Sequence, residues 1–389
     1  MGTPEFAVPS LDILLKNGYE VVGVITSTDK YGGRGNKKLI ESAIKKYAVK
    51  KGLKVLQPKN LKAPEFVAEL RSLNADLQVV VAFRMLPVIV WDMPTIGTIN
   101  LHGSLLPKYR GAAPINWAVI NGEKETGVTT FFIRHEIDTG DLLFQEKMPI
   151  GADETVGEVH DRMMYLGADL VLKTVKAIES NNYQLRKQDE SLVSKAPKIY
   201  TADCEINFNQ PTQKVHDFIR GLSPYPTAWT TLNELKLKIF KASREISKHT
   251  YAAGQFFTDN KNYLKISTAD GFIQIHNLQL QGRKRLGVKD FLNGYKIVLD
   301  MNEKKRYNIF VSTKMNTFNI LDIDESELEK IIALYKYGKD NIFLKGKKYW
   351  FSDLSEIQIY TFENEKIKTE QELISLCKSK KLFKSGMFG

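Results

Sequence analysis

The sequence is poor in the residues that build metal or disulfide frameworks. Among 389 residues there are two cysteines, Cys204 and Cys377, far apart and without metal-ligand spacing. A disulfide scaffold or a zinc site is not expected, and a reducing cytoplasm is the natural compartment. No stretch approaches the roughly 18 consecutive apolar residues of a membrane span. The first residues lack the basic-then-apolar pattern of a secretory leader. Six histidines are few enough that each is a separate candidate for chemistry.

What is present suits a folded, multidomain protein. Hydrophobic residues make up 43% and aromatics 10%, enough to fill more than one core. Charged residues at 26% are ordinary and argue against a disordered chain. The net charge of +11 is unevenly spread: +1 over residues 1–180, +7 over 181–300 and +3 over 301–389. A surface that meets a polyanion therefore belongs in the middle segment. A solvated lysine-rich surface would give the same excess.

Organisation along the chain points to α/β architecture. Tyr19–Thr26, Leu77–Phe83 and Gly97–His102 read as strands, with helices at Lys37–Lys51 and Ala63–Leu73 between the first two. Apolar strands alternating with helices predict a parallel sheet covered on both faces, with ligands beyond the strand C-termini. Thr126–Phe132 and Asp141–Ile150 read as further strands, and residues 155–180 as an amphipathic helix. Gly2-Thr-Pro-Glu-Phe6 runs directly into a helix at Val8–Asn17, where such a sheet would normally open with a strand. Either the start lies upstream or the sheet lacks a central strand.

Residues 181–205 read as a polar linker and Gln213–Leu222 as a helix. Short strands then follow at Ala228–Leu232, Leu235–Lys241, Asn262–Ser267 and Phe272–Leu280, the pattern of a small barrel. Residues 298–389 carry strands at Tyr307–Ser312, Asn341–Leu344, Lys348–Phe351 and Ile357–Thr361, a helix at Asp324–Tyr337 and a basic Lys378–Lys381 run. They read as a small α+β module of unknown role.

The chemistry concentrates at Asn100-x-His102. In a strand these side chains share a face, so an amide and an imidazole N–H can converge on one oxygen. Asp138, on the Ile137–Gly140 turn, can orient or charge-pair the imidazole. With no serine or cysteine in that strand, the set suggests transfer to an external amine rather than a covalent acyl-enzyme. The dipeptide alone is weak, since a hydrogen-bonded strand end would look the same. His135 lacks motif support, and His160, among apolar neighbours on the amphipathic helix, is expected as a core or face residue. His216, His249 and His276 are expected on the surface, and Trp229 in the core.

A longer string sharpens this. Gly2-Thr-Pro-Glu-Phe-Ala-Val8, Gly32-Gly-Arg-Gly-Asn-Lys-Lys38, Asn100-Leu-His-Gly-Ser-Leu-Leu-Pro107, Tyr109-Arg-Gly-Ala-Ala-Pro-Ile115, Glu125-Thr-Gly-Val128 and Ile137-Asp-Thr-Gly-Asp141 occur in this order. The chain resembles the bacterial methionyl-tRNA formyltransferases over roughly residues 1–297. The resemblance implies a Rossmann-like doubly wound parallel sheet as catalytic domain (1–180), a linker (181–205) and an OB-like β-barrel that binds tRNA (206–297). Residues 298–389 depart from the family. It further implies 10-formyltetrahydrofolate as formyl donor, no metal, initiator methionyl-tRNA as partner, no obligate protein partner and no membrane.

Residue by residue, Asn100, His102 and Asp138 match the family's catalytic triad. Ser104, Leu105, Leu106 and Pro107 match its folate segment, and Phe83, Arg84, Met85 and Leu86 the stretch that receives the pterin. Arg34, with Lys37 and Lys38 beside it, matches the loop that reads the tRNA acceptor end. Arg283, Lys284 and Arg285 are further RNA candidates in the basic segment. A related folate-dependent formyltransferase acting on a nucleotide sugar or glycinamide ribonucleotide, or an inactive RNA-binding homologue, would share parts of this pattern. The Arg34 loop and basic segment favour the tRNA enzyme.

Overall fold

The computed structural model describes residues 1–32, 38–297 and five strands beyond them. The chain forms two compact units, Met1–Ile297 and Val298–Gly389. In the second, Tyr307–Thr313 is flanked by antiparallel Thr317–Ile323 and Leu354–Thr361, while Asn341–Leu344 pairs with Lys347–Trp350. The sequence reading missed Thr317–Ile323. The expected Asp324–Tyr337 helix and the Lys378–Lys381 run lie outside the described residues. Among the described residues no helix is long and apolar enough to cross a membrane.

The first unit opens with helix α1 (Val8–Lys16), strand β1 (Val24–Ile25) and a hairpin of β2 (Lys30–Gly32) and β3 (Lys38–Ile40). Helix α2 (Ala43–Lys50) starts at Ser42, whose hydroxyl accepts from the Lys45 amide, so the helix begins later than expected. Strand β4 (Val55–Leu56), helix α3 (Pro64–Ser72), β5 (Leu77–Val81), the short α4 (Val88–Trp91) and β6 (Gly97–His102) follow. Parallel pairing joins β1 to β4 and β5 to β6.

After β7 (Arg110–Gly111) and α5 (Pro114–Ile120), the sheet changes character. Strand β8 (Glu125–Phe132) pairs antiparallel with β6, and β9 (Leu142–Pro149) antiparallel with β8. The expected all-parallel sheet is therefore mixed. Residues 133–141 are too few for the crossover of about a dozen residues that a parallel return needs, so the chain makes a hairpin. Helix α6 (Val156–Glu179) covers the sheet. A Thr155–Glu158 capping box starts it, and Val159, Met163, Leu170 and Val171 on its inner face are almost wholly buried against Ile99, Leu101 and Val128.

The expected long strand at Tyr19–Thr26 survives only as Val24–Ile25, and its neighbourhood explains why. Between β1 and β5 stand just Met1 and Gly2. The Gly2 amide donates to Ile25 O at 3.0 Å, Val81 N to Met1 O at 2.9 Å, and the Met1 amine to Val79 O at 2.6 Å. These two residues hold the place of a central strand. Below them, Val21–Val24 and Leu77–Val79 line a cavity of about 590 Å³. Without backbone partners across it, Val21–Gly23 form no ladder.

Residues 181–205 fold back onto the first sheet's half of the unit. Their strand β10 (Lys195–Ala196) pairs in parallel with β7. Helix α7 (Thr212–Gly221) leads into strands β11 (Ala228–Leu232), β12 (Leu235–Ile246), β13 (Phe256–Thr258), β14 (Leu264–Ser267), β15 (Gly271–Leu280) and β16 (Leu286–Gly287), closed by α8 (Val288–Gly294). They form one antiparallel sheet in the order β11-β12-β15-β14-β13, with β16 on β15, a half-barrel. His216 is a correction: it is 2% exposed, donates through Nε2 to Ala242 O and accepts from Arg244, and burial lowers its pKa. Its place on the inner face of α7 outweighs its polarity. Trp229 is half-buried, its indole N–H donating to Thr201 O under the Lys236 ammonium.

Candidate active site

The site lies at the C-terminal end of β6. Asn100 and His102 line a cavity of about 940 Å³ together with Asp138. The Asn100 side chain makes no hydrogen bond among the described residues, so its amide is available to a ligand. The His102 ring is buried and its Nε2 lies 2.9 Å from Tyr109 O. A carbonyl only accepts, so the ring proton sits on Nε2. Nδ1 faces Asp138 Oδ2 at 3.7 Å. The sequence reading had an imidazole N–H beside the Asn100 amide. The structure instead commits Nε2–H to the backbone and leaves Nδ1 as the working edge.

That backbone carbonyl is placed by the Ser104–Pro107 turn. Thr129, on the neighbouring strand, donates its hydroxyl to Ser104 O at 2.6 Å and accepts from Leu106 N at 3.1 Å. Gln145 donates to Leu106 O at 2.9 Å, and the Ser104 hydroxyl to Lys108 O at 2.6 Å. Tyr109 then adopts a left-handed φ of 63°, its amide donating to Ser194 Oγ and its hydroxyl to Glu123. Burial pushes that phenol up to about 12. Ser104, Leu105, Leu106 and Pro107, expected against folate, do not line the cavity. Their polar groups are spent on Lys108 within the turn and on Thr129 and Gln145 of the neighbouring strands, which fixes the turn behind His102.

Asp138 is held just as firmly. Its φ is 56°, and its carboxylate accepts from the Gly111 amide at 2.9 Å. The Gln188 amide donates to both Asp138 O and Gly140 O at 2.8 Å, while its oxygen accepts from Arg110 at 2.8 and 3.1 Å. Arg110 pairs in turn with Glu190, whose carboxyl it holds below the usual range. A Cβ on Gly140 would stand 1.8 Å from Phe132 O, so this turn admits only glycine. Sequence reasoning missed Gln188 altogether. It sits in a polar linker, 50 residues from Asp138, and no local pattern marks it.

Phe83, Arg84, Met85 and Leu86 line the cavity. Met85 is 72% exposed, and Arg84 is tied back to Pro58 O and Lys59 O at 2.5 and 3.0 Å. His135 and His160, given no role from sequence, are also in the wall, as are Pro224 and Tyr225. The His160 ring packs 5.2 Å from Phe6.

None of the described RNA candidates lines the cavity. Arg34 and Lys37 lie outside the described residues, and Lys38 is exposed on β3. Arg283 lies over the Tyr295 ring at 4.9 Å, and Arg285 over Phe240 at 4.1 Å with a hydrogen bond to Asn277. Lys284, between them, is exposed and has no ion pair among the described residues.

Comparison with known proteins agrees with this architecture. The formyl transferase family matches residues 1–175, and its C-terminal domain residues 198–296. The methionyl-tRNA formyltransferase of Parabacteroides distasonis is 51% identical over 310 residues, covering 77% of this chain and 96% of the relative. That of Flavobacterium johnsoniae is 50% identical over 299 residues, covering 76% and 94%. Two solved structures share the fold at 24% identity and a TM-score of 0.53, each comparison covering 73% of this chain and 97% of theirs. They are WlaRD, a sugar 3N-formyl transferase in the presence of dTDP and 5-N-formyl-THF, and an N-formyltransferase from Helicobacter canadensis with folinic acid and dTDP-3-aminofucose. With both halves matched and about half the residues shared over nearly the full length of these relatives, the chain belongs to the methionyl-tRNA formyltransferase family.

Proposed function

We propose that this enzyme transfers the formyl group of 10-formyltetrahydrofolate to the α-amine of initiator methionyl-tRNA. The observation that carries the reading is the unpartnered Asn100 amide in one cavity with His102 and Asp138. Free α-amines titrate at ~7.7–8.0, and an aminoacyl ester's lower still, so much of the substrate is unprotonated near neutrality. The folate supplies an activated formyl carbon, and the wall at Phe83–Leu86, open at Arg84 and Met85 and closed by buried Leu86, suits a flat ring held by backbone groups.

The roles follow from which atoms are free. As the amine attacks, the Asn100 amide donates to the formyl oxygen, where a preorganised donor is typically worth ~3–4 kcal/mol. His102 Nδ1 is the ring nitrogen left to take the amine's proton, because Tyr109 O occupies Nε2–H. Asp138 then faces an imidazolium rather than a neutral ring. As the bond from the formyl carbon to the folate nitrogen breaks, the proton passes from His102 to that nitrogen. Ser104–Pro107 keep Tyr109 O in place throughout.

We assign residues 1–180 to catalysis, 181–205 to the connection, 206–297 to RNA and leave 298–389 without a role. The net +7 of residues 181–300 supports RNA contact there, with Arg283, Lys284 and Arg285 as candidates. Arg34, with Lys37 and Lys38, is assigned to the acceptor end. Charged tRNA as substrate supports a cytoplasmic enzyme.

Four outcomes test these roles. Purified protein with 10-formyltetrahydrofolate should formylate charged initiator tRNA in preference to elongator methionyl-tRNA; no formylation of either overturns the reading. In that assay Asn100→Ala and His102→Ala should each lower kcat by roughly two to three orders of magnitude, with tRNA binding unchanged. Gln188→Ala removes the two hydrogen bonds that hold the Asp138 turn, worth about 1 kcal/mol each, so kcat should fall by up to about thirtyfold while KM for tRNA holds. Lys284→Ala should weaken initiator and elongator tRNAs alike and reduce the salt slope of binding by about one unit.

A further inference from the structure

Two residues of the basic half reach the catalytic cavity. Pro224 and Tyr225 are the described residues of 198–297 that stand in its wall, beside Val156, Gly157, His160 and Asp161. The turn that carries them is fixed from within. Thr227 N donates to Leu222 O at 2.8 Å, the Thr227 hydroxyl to Pro224 O at 2.5 Å and the Ser223 hydroxyl to Phe240 O at 2.7 Å. It is also fixed to the start of α6. The Gly157 amide donates to Ser223 O at 3.0 Å, and a Cβ on Gly157 would stand 2.5 Å from Pro224 Cδ. Arg220 extends the seam, donating to Glu154 O at 2.9 Å.

Against this rigid setting, Tyr225 itself is 82% exposed and has no hydrogen-bond or ring partner among the described residues. A large ring held at a cavity mouth, with its faces in water, loses little freedom when something covers it. The substrate's chemistry says what that is, on the reading that charged tRNA is the acceptor. The methionyl group is esterified to the terminal ribose. With its amine at His102, the terminal nucleotide stands at the mouth of the cavity, and the RNA approaches over the basic half from which Tyr225 projects. Asp161 in the same wall, 72% exposed in its side chain, makes that wall a poor seat for a phosphate but not for the face of a base.

We propose that Tyr225 is the stacking platform for the base of the terminal nucleotide of charged tRNA. Every base has a π-face, so this contact supplies position and affinity without choosing among tRNAs.

The test uses the full chain and two forms of uncharged initiator tRNA, intact and lacking the 3′-terminal nucleotide. The wild-type protein should bind the intact form about tenfold more tightly, the size of one base–aromatic stack. Tyr225→Ala should bind both forms equally, at the wild-type level for the shortened one, and Tyr225→Phe should restore the difference. The exposed side chain leaves no cavity when truncated, so melting temperatures should coincide. If Tyr225→Ala keeps the wild-type difference, or weakens both forms equally, the platform is not Tyr225. If it changes only KM for charged tRNA and not binding of the uncharged forms, the ring meets the methionyl group and the proposal also fails. A wild-type protein that neither binds nor formylates tRNA would instead sink the functional reading on which this rests.

Discussion

The hydrogen bond from His102 Nε2 to the carbonyl of Tyr109 sets the working state of this site. It fixes which nitrogen carries the proton, and so leaves Nδ1, facing Asp138, as the edge that can accept one. Much of the surrounding architecture serves that single contact. Tyr109 must turn left-handed to present its carbonyl, and a non-glycine residue holds such a conformation only when its surroundings impose it. Here Ser194 and Glu123 hold Tyr109 at its amide and its hydroxyl, while Thr129 and Gln145 lock the turn before it. A strand, a turn and a linker thus converge on one imidazole.

Charge is managed by the same economy. His102 and Asp138 are both largely buried and 3.7 Å apart, with the Gly111 amide already neutralising part of the carboxylate. Elsewhere buried charges are paired too: Arg220 and Asp217 meet at 2.6 Å, with Gln213 donating to the same carboxylate. The Asn100 amide, half-buried and without a partner among the described residues, is the polar group left open toward the cavity. In a folded protein a polar side chain left in that condition points to a ligand.

The sequence made the centre of the site readable because strand periodicity places Asn100 and His102 on one face, and because the turn glycines around Asp138 are local features. It made α6 readable through its capping box and apolar stripe. What it hid is non-local. The antiparallel half of the sheet depended on the brevity of residues 133–141, a length that can be read but whose consequence is topological. Strand Val24–Ile25 is short because of what stands beside it, not because of its own residues. Gln188 and Ser194 act on residues 50 and 85 positions away, and His216 is buried by packing that its own helix does not announce.

The pairing of Lys195–Ala196 with Arg110–Gly111 bears on how such a chain can be recombined. The first family domain ends at residue 175 and the second begins at 198, but the supporting shell of the site extends to Ala196. A chimera joined at 180 would give the catalytic half a foreign Gln188, Ser194 and β10, and so a foreign support for Asp138 and Tyr109. A chimera joined after Ala196 would carry its own. The natural crossover point for exchanging C-terminal halves between relatives is set by the hydrogen bonds of the linker, seventeen residues past the end of α6.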